Sequence, residues 1–172
     1  MEITFGKCTI KDIDQLQVLS ITTFTQAFEN QNNPKDFHTY ITKAFSKEQL
    51  LSELNDFDTS FYFVKRREET IGYFKTTVFG AQNELKEPEG MELERIYVLP
   101  LFQGKGVGKK ILSFVESLAQ QHGKTYLWLG VWEQNPKAIR FYERHGYMKF
   151  DTHPYYIGND RQTDWLLKKE LK

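Results

Sequence analysis

The chain has 172 residues, enough for one domain around one sizeable core. Forty per cent of them are hydrophobic and 27% charged, which argues against a disordered chain. Twenty-three basic residues balance 23 acidic ones, so nothing in the net charge favours nucleic acid or an anionic membrane as partner.

Ile3 to Cys8 alternates as a first strand. Cys8 is the one cysteine, so there is no internal disulfide framework. It reads as a small core residue, not a nucleophile. Asp12 with Gln15 has the spacing of a capping box opening a helix. Leu16, Leu19, Thr23, Ala27 and Phe28 follow at helical spacing, and Asn30 to Pro34 ends that helix. Phe37, Tyr40, Ile41, Ala44 and Phe45 form a second apolar stripe. Ser46 and Gln49 open a third helix carrying Leu50, Leu51 and Leu54. Phe61–Lys65 and Thr70–Val78 are aromatic and β-branched, and the polar run Arg66–Glu69 makes them a hairpin.

A polar loop over Gly80–Gly90 leads to a strand over Glu92–Val98, then a helix from about Gly106 to Gln121. Tyr126–Trp132 is almost continuously apolar, as expected of a central strand covered on both faces. Strand, helix, strand in this order predicts a right-handed crossover and two parallel strands. Asn135–His145 is a helix with Pro136 in its first turn and Gly146 past its end. Tyr147–Ile157 and Gln162–Lys169 complete the sheet. The fold class is α/β, a mixed sheet with helices on both faces. No segment has the signature of a signal peptide or a membrane helix, so a cytoplasmic location is expected.

Gly104, Gly106 and Gly108 alternate between a strand and a helix. Glycine admits positive φ and close ligand approach. Successive amides can then face one anion, reinforced by the helix dipole and by Lys105 and Lys109. Two nucleotide patterns fail here. G-x-G-x-x-G would need glycine at Lys109, and the P-loop pattern meets Lys110 where Ser or Thr should stand. What remains is Gln103-x-x-Gly106-x-Gly108, with Val107 inside the turn.

The strand before it breaks its period. Leu93 and Ile96 have opposite parity, yet both should be core residues. A β-bulge near Glu94 or Arg95 reconciles them and leaves backbone groups free for a ligand. Carboxylates at Glu92 and Glu94 are costly when buried unless used or paired. Arg95 neutralising one of them is the plain alternative. Downstream, Asn135, Ala138 and Tyr142 lie along one helix. Asn135 alone reads as a cap and Tyr142 alone as core.

Together, Gln103-x-x-Gly106-x-Gly108 and Asn135-x-x-Ala138-x-x-x-Tyr142-x-x-x-Gly146-Tyr147 resemble the GNAT superfamily of N-acetyltransferases. Within it, Leu19–Phe24, Glu94–Val98, Trp128–Glu133 and Gln162–Asp164 resemble the PaiA-type spermidine/spermine acetyltransferases. The resemblance implies the GNAT fold over residues 1–172: a mostly antiparallel sheet of about seven strands whose fourth and fifth are parallel and splayed. It implies acetyl-CoA as co-substrate and a small amine, most of all a polyamine, as acceptor; no metal is expected, because His38, His122, His145 and His153 show no ligand spacing with a partner cysteine or histidine. Ile96, Tyr97 and Val98 would meet the pantetheine arm and thioester. Gln103, Gly104, Lys105, Gly106, Val107, Gly108 and Lys109 would cradle the pyrophosphate, and Asn135 and Ala138 would flank the arm. Glu92 or Glu94 would take the amine proton, or only hold the cation, and Tyr142 would meet the cofactor at its sulfur, donating a proton to the departing thiolate or hydrogen-bonding to it.

Glu29, Glu133 and Asp160 join Glu92 and Glu94 as candidate polyamine contacts. Phe24, Phe28 and Tyr40 are candidates for the acceptor wall, with helix–helix core the stronger reading. A homodimer is a family expectation. Acetylation of another small amine or a protein N-terminus stays open, as does CoA binding without turnover.

Overall fold

A computed structural model describes residues 1–172. Seven strands form one sheet: β1 (Thr4–Lys7), β2 (Thr59–Arg66), β3 (Glu69–Val78), β4 (Gly90–Val98), β5 (Tyr126–Trp132), β6 (Met148–Ile157) and β7 (Asp160–Glu170). Their spatial order is β1-β2-β3-β4-β5-β7-β6. Every neighbouring pair is antiparallel except β4 and β5. This is the mixed sheet expected, with the parallel pair at its centre.

Side-chain alternation sorts the core onto two faces. Tyr62, Val64 and Phe74 point to one face, Phe61, Phe63 and Tyr73 to the other. The first face is covered by α4 (Val107–Gln121) and α5 (Pro136–Arg144), through Val107, Ile111, Val115, Ala119 and Ile139. Each of the larger aliphatics contributes about 1.5–3 kcal/mol on burial. The second face is covered by α1 (Ile13–Phe28), α2 (Pro34–Ala44) and α3 (Lys47–Asn55). Cys8 is buried there, and burial pushes its thiol up to about 12.

Two helix starts are as expected: Ser46 caps α3 by accepting from the Gln49 amide, and Asn135 caps α5 by accepting from the Ala138 amide. Asn33, within the segment that ends the first helix, also caps α2. The first start differs. Thr9 and Asp12, not Asp12 and Gln15, form the capping box, and they cap a 3-10 turn over Ile10–Asp12 that precedes α1. Asp12 therefore makes no side-chain cap to α1, and Gln15 reaches Thr70 instead. Ala27 falls on the exposed side of α1, while Ser20 and Phe24 join the buried side. No helix is long and apolar enough to cross a membrane.

Candidate active site

β4 and β5 are hydrogen-bonded neighbours over three residue pairs only: Gly90–Tyr126, Met91–Leu127 and Glu92–Trp128. β4 then runs on to Val98 along β3, and β5 to Trp132 along β7. The two strands part, and a cleft opens between them. Glu94, Ile96 and Tyr97 line it from β4, Gly130 and Trp132 from β5, and Asn135, Ala138 and Tyr142 from the α5 side. Phe24 and Phe28 of α1 close one side, with Tyr155 of β6 and Asp164 of β7.

The anticipated bulge is at Glu94. Lys75 of β3 faces Arg95 while Thr76 faces Leu93, so Glu94 is the extra residue. Leu93 is thereby buried in the main core and Ile96 packs against it. On the side facing β5, the backbone beyond Glu92 has no strand partner. Those groups are available to a ligand lying in the cleft.

The glycine turn follows directly. Gly104 and Gly106 have φ of 71° and 78°, and nothing lies within 4 Å of a Cβ added at either. Gly106 is the N-cap of α4, where no side chain caps the helix. The first amide bonded within α4 is Lys110's, to the Gly106 carbonyl. The amides of Val107, Gly108 and Lys109 are thus the unpaired donors of a helix start. With the dipole behind them they suit a pyrophosphate. Gln103 folds back, its Nε2 donating to the Val98 carbonyl at 2.8 Å, which ties the turn to the end of β4. Gly108 has a second task besides its free amide. It is inside the helix, and a Cβ there would meet the Phe141 ring at 2.9 Å, so it lets α5 pack against α4.

The carboxylates fall into distinct states. Glu94 lies 2.8 Å from the Lys75 ammonium and 3.9 Å from Arg95. Glu53 of α3 completes the cluster, 3.1 Å from Lys75 and 3.6 Å from Arg95. Burial would raise the Glu53 carboxyl, but Arg95 and Lys75 outweigh it and hold it below its usual range. Two cations thus neutralise two anions, which is the plain ion-pair reading of Arg95, extended by two residues that sequence order does not bring near. Lys75 is almost fully buried, so Lys75→Met should leave two carboxylates short of a cation and destabilise the fold by about 3–5 kcal/mol. A urea-unfolding midpoint unchanged from wild type would contradict this.

Glu92 is buried elsewhere. It lines a hollow that adjoins the cleft, where four carboxylates, Glu84, Glu92, Glu94 and Asp164, outnumber the basic side chains Arg95 and His153. It accepts from the Asn83 amide at 2.9 Å, Asn83 Nδ2 at 2.8 Å and Thr77 Oγ1 at 3.1 Å. Burial, then the Glu94 charge, raise it to about 7 against the pull of those donors. Tyr142 is pushed well above its usual range by burial alone, so it stays a neutral phenol near pH 7. No group of three or more His, Cys, Asp or Glu side chains is arranged to hold a metal.

Of the other anticipated contacts, Phe24, Phe28 and Tyr40 serve both readings: they stack within the core and face the cleft or the hollow. Glu29, Glu133 and Asp160 are exposed and line neither. Sequence reasoning missed Glu84 and Tyr155, and it gave Gly130 and Asp164 no site role although both lie in segments that carry the PaiA-type resemblance. Gly130 carried a local signal, as a glycine interrupting an apolar central strand.

A central sheet split between two parallel strands, with a glycine turn of free amides at the mouth of the split, makes a seat for an extended ligand that carries an anionic group. Residues 22–147 match the Acetyltransferase (GNAT) family, and the chain belongs to that family. It is an N-acetyltransferase that uses acetyl-CoA as co-substrate. It is 40% identical over 161 residues to an uncharacterised N-acetyltransferase from the pepI 3′ region of Lactobacillus delbrueckii subsp. lactis, covering 94% of this chain and 93% of that one. A spermidine N(1)-acetyltransferase from Thermoplasma acidophilum is 24% identical, with 88% and 92% of the two chains covered. The crystal structure of PaiA N-acetyltransferase from Thermoplasma acidophilum in complex with coenzyme A shares the fold, with a TM-score of 0.79 at 22% identity over 99% of each chain.

Proposed function

We propose that residues 1–172 act as one acetyltransferase domain whose acceptor is a primary amine of a linear polyamine such as spermidine. The observation that carries this reading is the acidic hollow opening onto the cleft at the split between β4 and β5. It would attract a cation with more than one charge. The relatives named for spermidine acetylation support the same class.

In this reading Val107, Gly108 and Lys109 donate their amides to the pyrophosphate, and the unpaired backbone of Ile96–Val98 meets the pantetheine arm. Asn135 spends its Oδ1 on the Ala138 amide, which leaves its Nδ2 to face the arm. An alkylammonium has a pKa near 10, like lysine, and must lose a proton before it can attack. Glu92 takes that proton through water, because its own raised pKa of about 7 lies nearer the task than an ordinary carboxylate's. The amine nitrogen then bonds to the acetyl carbonyl carbon, the carbon–sulfur bond breaks, and its electron pair leaves on sulfur. Tyr142 gives its phenolic proton to that thiolate, the second amine proton restores Tyr142 by way of water, and Glu92 releases its proton to solvent. Glu94, already neutralised by Lys75, serves the architecture of the bulge.

The test is release of CoA thiol from acetyl-CoA with a panel of amines, repeated across pH. Spermidine should support turnover, with kcat/KM rising as the pH passes about 7, since Glu92 must be ionised to accept a proton. Glu92→Gln should lose that inflection and about 100-fold in kcat. An inflection that persists in Glu92→Gln would remove Glu92 from the role. Turnover only with other amines or a peptide N-terminus would change the acceptor, and CoA binding with no release under any amine would make this a binding protein.

A further inference from the structure

We infer that Asp164 is the carboxylate that holds the reacting ammonium group, at a spot kept open by Gly130. The inference rests on the amine-acetyltransferase reading above and deepens it.

β5 is buried along most of its length, and Gly130 is its one exposed residue. Gly130 lies beyond Glu92–Trp128, the last pair that joins β5 to β4. It is therefore on the floor of the split. Asp164, on β7, pairs with Trp132, two residues farther along β5 and on the same face as Gly130. Its Oδ2 stands 3.1 Å from where a Cβ on Gly130 would be. A side chain at position 130 would crowd that oxygen and cover the floor. Glycine leaves both the carboxylate and the floor accessible.

Gly130 and Asp164 line both the cleft and the acidic hollow, so they mark where the two meet. An acceptor entering from the hollow must pass this junction to reach the cleft. Only two carboxylates line both spaces, Glu94 and Asp164. Glu94 is occupied by Lys75 and Arg95. Glu84, in the hollow, is 2.9 Å from His153. Asp164 has no such partner. The charges that bear on it are those of Glu84 and Glu133, both repulsive. A half-buried carboxylate among like charges is costly alone and is relieved by a bound cation. Burial, then Glu84 and Glu133, raise it to about 6, which leaves it mostly ionised at a pH of about 7.5 and ready to pair. The rings of Phe24 and Tyr155 flank the same junction and suit the methylene stem of an alkylamine.

The experiment compares wild type with Asp164→Asn and Asp164→Glu. It measures spermidine kinetics, calorimetric binding of spermidine to the CoA complex, and CoA affinity. Asp164→Asn keeps the shape and removes the charge. It should raise KM and weaken spermidine binding about 10–100-fold while CoA affinity stays at the wild-type value, and Asp164→Glu should recover part of the loss. Spermidine binding unchanged in Asp164→Asn would overturn the assignment. So would a parallel loss of CoA affinity, which marks a structural role. Wild type that turns over another amine, with Asp164→Asn unaffected for that amine, overturns the inference and leaves the acetyltransferase reading standing. Wild type that neither binds nor acetylates any amine overturns both.

Discussion

Gly106→Asp is expected to lower acetyl-CoA affinity by at least about 100-fold while the free protein remains folded. The substitution acts at the N-cap of α4, where φ is 78°. Aspartate is among the residues that tolerate this left-handed region, and nothing lies within 4 Å of the new Cβ, so the fold meets no clash. A carboxylate here also lies at the positive end of the helix dipole. That is why binding should fail. The introduced carboxylate would stand where the pyrophosphate meets the amides of Gly108 and Lys109, and would set a negative charge beside two phosphates. Like charges brought together at an interface cost several kcal/mol, and about 2.7 kcal/mol is already 100-fold. Calorimetry with CoA gives the affinity, and a thermal melt of the free protein gives the fold. Wild-type affinity in this variant would move the pyrophosphate away from the turn.

The turn was legible because its meaning is local. Three glycines between a strand and a helix need only chain order to be read, and the unpaired amides of Val107–Lys109 follow from any helix start. The bulge was legible for a similar reason: Leu93 and Ile96 cannot share a face without an extra residue, and Glu94 is that residue. Charge partners were not legible. Glu94 could be guessed to meet Arg95, its neighbour, but Lys75 comes from the adjacent strand and Glu53 from a helix much earlier in the chain. Residue type at those positions says only that charge is present. Gly108 shows the same limit in reverse. Its place in the glycine pattern does not show why the residue must be glycine: the ring of Phe141, on α5, sets its size. Asp164 and Gly130 become a pair only through the β5–β7 register. Glu29 and Asp160 are plausible by type alone, and the fold leaves them exposed and outside the lining of the cleft.

Tyr142→Phe should lower kcat about 100-fold and leave CoA affinity within a factor of about two. Tyr142 is buried, with its ring edge-on to Phe141 at 5.3 Å and to Tyr147 at 5.7 Å. Phenylalanine keeps both contacts, so packing and the cleft wall survive. What is lost is the one proton that this residue can give. Burial holds Tyr142 neutral, the form that can donate. General acid catalysis is worth about 10²–10⁴-fold, and the low end applies because a thiolate with a pKa near 8.5 departs without much assistance. The loss belongs in kcat, since the proton transfer strengthens only as the carbon–sulfur bond breaks. A fall in both kcat and CoA affinity would instead mark Tyr142 as a binding contact. A kcat within about threefold of wild type would take Tyr142 out of the acid role and leave protonation of the thiolate to water in the cleft.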